Sequence, residues 1–220
     1  MRLVVFDAYG TLLDVHSAVA RHAPRLGGSA AAVSALWRQR QLEYSWILSA
    51  TGEYEPFDVL TDRALGHALA AHAILEPGLR ADLLAAYRRL DAFPDAAPCL
   101  GALRGAGVAT AILSNGEPGM LADAVGSAGL EGLLDEVLSV HPLRRYKPDP
   151  EVYRLATERF GCRPDEVAFV SANAWDAHGA RRFGCRVFWV NRLGAPAEYG
   201  LAEAATVLGD LAPLPALLHS

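Results

Sequence analysis

LVVFDAYGT, residues 3–11, decides how the rest of the chain is read. Its first four residues, Leu3 to Phe6, are apolar without alternation. That pattern marks a strand covered on both faces, as in a parallel sheet flanked by helices. The run stops at a carboxylate, Asp7, and Gly10-Thr11 follows as a turn. In open α/β sheets ligands bind beyond the carboxyl ends of the strands. Asp7 therefore stands where chemistry is done, and the polar residues after the other strands become the ones to find.

Further strands are expected at Val108 to Leu113, Glu136 to Ser139, Val167 to Val170 and Arg186 to Val190, with a weaker one at Thr206 to Leu208. Helical patterns lie between them. Met120, Leu121, Ala124, Val125 and Ala128 share a face that ends at Gly129. Asp149-Pro150 reads as an N-cap with proline in the first turn, followed by a stripe of Val152, Tyr153, Ala156 and Phe160. This alternation predicts an α/β fold with a doubly wound, mostly parallel sheet. From about residue 15 to 91 it breaks: Val33 to Ala50, Leu60 to His72 and Leu79 to Leu90 carry helical patterns and no convincing strand. The expected organisation is an α/β core of residues 1–14 and 92–220, with an all-helical cap of residues 15–91 inserted after the first strand.

Composition narrows the class. With 220 residues, 52% apolar, the chain can bury a full core. A formal net charge of −5 argues against a nucleic-acid partner, which requires a basic surface. No segment reaches the roughly 18 continuous apolar residues of a membrane span, and the N-terminus lacks the pattern of a secretory signal. Cys99, Cys162 and Cys185 are scattered without a CxxC pair, which fits a reducing compartment; a cytoplasmic location is expected.

The strand ends supply a constellation. Ser114 and Asn115 follow one strand; Ser171, Asn173 and Asp176 follow another; Lys147 precedes the Asp149 helix. Each could serve only a turn or cap, as Asp14 and Asp149 are read to do. An acid, hydroxyls, amides, a lysine and a second acid converging on one sheet edge are read as a site. His141 and His178 have no spacing that ties them to it and are read as structural or solvent-exposed.

The segments "FDAYGTL", "LSNG", "YKPD" and "FVSANAWDAHGA" resemble the four motifs of the haloacid dehalogenase (HAD) superfamily, and the helical insertion stands where that superfamily places its cap. Within it the chain resembles the (S)-2-haloacid dehalogenases, and its own cap stretch "LWRQRQLEYSW" is similar to theirs. The likeness runs from about residue 3 to 193. One departure is Ala172, where serine is common in those relatives.

Tyr9 sharpens the expectation. HAD phosphatases place a second aspartate two residues after the nucleophile, to protonate a departing alkoxide. A halide leaves without a proton and asks instead for hydrogen-bond donors, a cation and an apolar wall. The resemblance implies these roles. Asp7 attacks the α-carbon with inversion and forms an ester, splitting one hard step into two. Arg38 and Asn115 receive the halide or the substrate's charge. Ser114, Thr11 and nearby backbone N–H groups hold the carboxylate and orient Asp7. Lys147 offsets the charge of Asp7, and Tyr153 hydrogen-bonds near the substrate. Ser171, Asn173 and Asp176 position Lys147 and the hydrolytic water. Tyr9, Leu42, Phe57 and Trp175 form the apolar wall, with Gln39 as a polar neighbour.

The implied reaction is metal- and cofactor-independent hydrolysis of short (S)-2-haloalkanoic acids to (R)-2-hydroxyalkanoic acids and halide. The partners are then a small 2-haloacid and water, with a homodimer as the implied assembly. The alternatives are a magnesium-dependent small-molecule phosphatase using Asp7 and Asp176, against which Tyr9 counts, and a catalytically idle scaffold.

Overall fold

A computed structural model describes residues 1–219. In chain order the elements are β1 (Leu3–Phe6), β2 (Leu13–Asp14), α1 (Ser17–Arg21), α2 (Ala23–Leu26), α3 (Ala30–Thr51), α4 (Phe57–Ala71), α5 (Leu79–Tyr87) and β3 (Asp91–Ala92). Then come α6 (Ala96–Gly105), β4 (Ala109–Ser114), α7 (Pro118–Ser127), β5 (Glu136–Ser139), α8 (Pro150–Phe160) and β6 (Val167–Ser171). The chain closes with α9 (Ala174–Phe183), β7 (Arg186–Val190), α10 (Leu201–Ala204), β8 (Thr206–Leu208) and α11 (Leu214–His219).

The main sheet is parallel throughout, in the order β5-β4-β1-β6-β7-β8. All four residues of β1 are buried, as their uninterrupted apolar character requires. Leu3 pairs with Ala109 on one side and Val167 on the other, and Phe6 with Ile112 and Val170. From β1 the chain first builds outward through β4 and β5, then returns to lay β6 on the opposite side. This reversal of strand order beside β1 opens a crevice at its carboxyl end. Asp7 stands at the head of that crevice, its N–H bonded to the Val170 carbonyl at 2.9 Å.

Two differences from the sequence reading bear on the site. The second core strand runs Ala109–Ser114, one residue later than expected, and β6 extends to Ser171. Both serines thus end their strands level with the crevice. A short antiparallel pair, β2 with β3, was also not expected. Leu13 faces Ala92 and Asp14 faces Asp91, and the Phe93 N–H reaches the Leu12 carbonyl at 2.9 Å. The turn before β2 needs Gly10, whose φ of +93° is open to glycine and strained for other residues. Between β2 and β3 every strand-free stretch is helix or loop. Helix α3 packs on α4, where the Trp37 indole N–H bonds the Thr61 carbonyl at 2.8 Å. Asp149 caps α8 by accepting from the Glu151 N–H, and Asp14 accepts from the His16 N–H.

Among the described residues no helix is long and apolar enough to cross a membrane.

Candidate active site

Asp7 is 5% exposed and all its side-chain bonds come from motif residues. Oδ1 receives the Lys147 ammonium at 3.0 Å. Oδ2 receives the Asn173 amide at 2.7 Å and the Thr11 hydroxyl at 3.2 Å. Thr11 in turn accepts the Ala172 N–H at 2.9 Å, which ties the β1 turn to the end of β6. The carboxylate is held by donors of known direction, the preorganisation a nucleophile needs.

Behind it lies a second carboxylate. Asp176, in the first turn of α9, is fully buried. Its Oδ2 takes the Lys147 ammonium at 2.9 Å and the Ser171 hydroxyl at 3.1 Å; its Oδ1 takes the Tyr153 hydroxyl at 2.8 Å. Ser171 is fixed by the Asn173 N–H, which donates to its oxygen at 3.1 Å. Burial pushes the Asp176 carboxyl up to about 6 despite the Lys147 ammonium, and the charge of Asp7 adds to the rise. Burial works against the Lys147 ammonium, but the carboxylates of Asp176 and Asp7 outweigh it and hold its pKa above the ordinary lysine value. Lys147 thus stays charged between two acids.

This geometry bears on metal. The space between the Asp7 and Asp176 carboxylates, the two acids a magnesium ion would need, is spanned by the ammonium of Lys147. Among the described residues no group of three or more His, Cys, Asp or Glu side chains is placed to hold a metal ion. The arrangement does not fit magnesium.

In front of Asp7 is a narrow, nearly closed cleft of about 10 Å³, lined by Tyr9, Arg38, Leu42, Phe57, Ser114, Asn115, Lys147 and Trp175 as well. It is smaller than the ~300–1,000 Å³ usual for drug-sized ligands. Tyr9 is walled in by Phe57 and Tyr87, at ring-centre distances of 6.1 and 5.6 Å, and Trp46 meets Trp175 edge-on at 5.4 Å. The Tyr9 hydroxyl is buried and has no hydrogen-bond partner among the described residues. Burial, with Tyr87 close by, holds its pKa well above the ordinary phenol value, so it stays neutral.

The donors facing this cleft follow from what their other atoms do. Asn115 Oδ1 accepts the Lys147 backbone N–H at 2.9 Å, which leaves its NH2 group for the cleft. Arg38 reaches across from α3, donating to the Tyr9 carbonyl at 3.2 Å and to Gln41 Oε1 at 2.8 Å.

Three expected contacts are corrected. Ser114 lines the cleft without bonding Asp7; its oxygen accepts the Gly116 N–H at 3.1 Å, and its own hydrogen is left for a ligand. Tyr153 is buried behind Asp176, on whose carboxylate its hydroxyl is spent, and does not line the cleft. Gln39 is exposed on the outer side of α3. A helix turns about 100° per residue, so the neighbour of Arg38 in sequence faces away from it, whereas Gln41, three residues on, shares its face. Gln41, fully buried and bonded to Arg38, is the residue of this cluster not singled out in the sequence. Its signal was present: Trp37, Gln41 and Ser45 recur at four-residue spacing on the buried side of α3. His141 bonds the Tyr54 hydroxyl through Nδ1 at 2.8 Å, outside this cluster.

Known proteins share this arrangement of sequence and fold. The family model of haloacid dehalogenase-like hydrolases matches residues 1–184. The chain is 50% identical to (S)-2-haloacid dehalogenase 1 of Pseudomonas sp. (strain CBS-3), over 99% of this chain and 96% of that protein. A crystal structure of a dehalogenase with an intermediate complex superimposes with a TM-score of 0.95 at 49% identity, covering 99% of this chain and 96% of that one. The L-2-haloacid dehalogenase of Xanthobacter autotrophicus with covalently bound chloropropionic acid superimposes with a TM-score of 0.92 at 38% identity, covering 100% and 99%. An aspartate caged by donors, a lysine between two carboxylates and full-length likeness to these enzymes lead to one assignment: the chain belongs to the haloacid dehalogenase-like hydrolases and, within them, to the (S)-2-haloacid dehalogenases.

Proposed function

We propose that the protein hydrolyses short (S)-2-haloalkanoic acids to (R)-2-hydroxyalkanoic acids, halide and a proton. The observation that carries this reading is the pairing of Asp7 with Tyr9: the nucleophile has an apolar ring beside it where an alkoxide leaving group would need an acid. An Asp7 oxygen forms a bond to C2 from the face opposite the halogen. The carbon–halogen pair leaves with the halide toward the Arg38 guanidinium and the Asn115 NH2, and the carbon inverts. Ser114 and backbone N–H groups take the substrate carboxylate. Leu42, Phe57, Trp175 and Tyr9 keep bulk water off the reacting carbon.

Water then adds to the ester carbonyl of Asp7, so C2 keeps its single inversion. The Asp7 oxygen not bonded to C2 becomes the oxyanion and keeps its own donor, Lys147 if it is Oδ1 or Asn173 if it is Oδ2; a preorganised donor of this kind is worth about 3 kcal/mol. Asp176, with its raised pKa, is the group suited to draw a proton from that water. One water hydrogen ends on the product hydroxyl and the other is released as Asp7 returns to the carboxylate. No step passes through a metal.

Residues 15–91 act in this reading as a cap that brings Arg38, Leu42 and Phe57 over a core of residues 1–14 and 92–220. The chain works as a homodimer in the cytoplasm, a reading that rests on the family resemblance and on three free cysteines.

The test is chloride release from (S)- and (R)-2-chloropropanoate with excess chelator. Chloride from the (S) form only, with (R)-lactate as product, is expected; release of phosphate from a phosphate ester with magnesium, and no chloride, would overturn the reading. Asp7→Asn should abolish turnover, which an idle scaffold would not notice.

A further inference from the structure

Arg38 differs from its neighbours in what it is bonded to. Arg40, two residues on, is clamped by Glu43 at 2.8 Å, and Arg63, Arg80 and Arg88 of the surrounding helices each pair with a carboxylate. Among the described residues Arg38 has no ion pair. Its acceptors are the Tyr9 backbone carbonyl and the Gln41 amide oxygen, with the Tyr87 hydroxyl beside them, and all are neutral. A cation bonded to neutral acceptors keeps its full charge for an incoming anion.

The amide oxygen is presented by a chain of bonds with one consistent direction. The Phe57 carbonyl can only accept, so the Thr61 hydroxyl donates to it, at 2.7 Å. Thr61 Oγ1 must then accept from the Gln41 NH2, at 2.6 Å. That turns Gln41 Oε1 toward Arg38, where it also receives the Tyr87 hydroxyl at 3.1 Å. Gln41, Thr61 and Tyr87 are all buried, and they lie on three helices, α3, α4 and α5. A Phe57 backbone oxygen beside the cleft thus sets, through two side chains, which end of an amide faces the arginine.

We infer that Gln41 is the positioning residue for Arg38: it fixes the guanidinium over the cleft while leaving its charge uncompensated for the anion. A glutamate at this position would hold Arg38 equally well and cancel it. The inference deepens the proposed dehalogenase reading by assigning the anion-binding strength of that cleft to a neutral residue that touches no substrate.

The test is Gln41→Glu, close to isosteric, measured with propanoate and bromide as unreactive anions by titration calorimetry, alongside kcat and KM for (S)-2-chloropropanoate and thermal melting. A merely structural role would move the melting temperature and leave anion affinity alone. The expected result is folded protein whose anion dissociation constants rise at least tenfold, with a parallel loss in kcat/KM. Affinities within threefold of the parent protein would overturn the inference, as would a parent protein that binds neither anion. Should Gln41→Glu fail to fold, Gln41→Met decides: it keeps the volume and removes the acceptor, and is expected to weaken binding more than threefold, unchanged binding again being fatal. A parent protein that binds propanoate but releases no halide from any 2-haloacid would sink the proposed reaction and leave this inference standing.

Discussion

The Tyr153 hydroxyl lies 2.8 Å from Oδ1 of Asp176, so a phenol from α8 completes the donors around a fully buried carboxylate on α9. Tyr153→Phe removes that donor and nothing else. A buried acceptor left short of a partner costs about 1–3 kcal/mol, and chemical denaturation should show a loss in that range. The Tyr153 bond also lowers the Asp176 pKa. Its removal should therefore move the acid limb of the rate profile to higher pH.

In the unmodified protein that acid limb should lie near pH 6. Burial raises the Asp176 carboxyl to about 6 from its ordinary 3.8. Below about 6 it takes up a proton, gives up its charge on Lys147 and can no longer accept one from water, so kcat/KM should fall as the solution is acidified. The limb reports the Asp7–Lys147–Asp176 cluster as a unit. Stability follows the opposite sign. Between 3.8 and about 6 the folded chain holds a proton that the unfolded chain has released, so this group's contribution falls as pH rises through that window. Melting temperatures across the same buffers check the second statement, and initial rates the first.

Lys147→Met should be far more damaging than loss of an exposed charge. Lys147 is 1% exposed and is the cation shared by two buried acids. Removing one partner of a buried ionic cluster costs about 3–5 kcal/mol, because the remaining charges lose compensation. Adding Asp176→Asn to Lys147→Met should recover part of that stability and none of the turnover. Urea denaturation of the single and double variants, with chloride assays on each, separates the two effects.

Gly179→Ala tests the packing that aims Tyr153. A Cβ there would collide with the Tyr153 hydroxyl and approach Pro148 Cβ to 2.7 Å. The ring must move off Asp176 or the helix must shift, at a cost of about 1–3 kcal/mol. The variant should melt lower and share the displaced pH profile of Tyr153→Phe. A normal profile in a destabilised protein would show that Tyr153 keeps its bond to Asp176.

How much of this was readable in advance depends on the range of the interactions concerned. Strand β1, the carboxylate at its end and the cap of α8 at Asp149 are local: an apolar run, a turn glycine and an N-cap act within a few residues. The polar ends of β4 and β6 were legible for the same reason, although each strand runs one residue further than its apolar stretch indicates. The pair β2–β3 was not legible, since two residues are too few to show a period and their partners, Ala92 for Leu13 and Asp91 for Asp14, lie far along the chain and are joined to them only by folding.

The sequence by itself determined which chemical groups follow which strands along the chain, from Asp7 to Asp176, and the absence of a second acid at Tyr9. Tertiary structure alone decided which of two glutamines serves Arg38, that Tyr153 stands behind Asp176 and not beside the cleft, and that Ser114 keeps its hydrogen for a ligand. Each of those outcomes turns on the rotation of a helix or strand end against a neighbour distant in sequence. That rotation is set by packing of whole faces, such as α3 on α4 around Trp37, and no single residue encodes it.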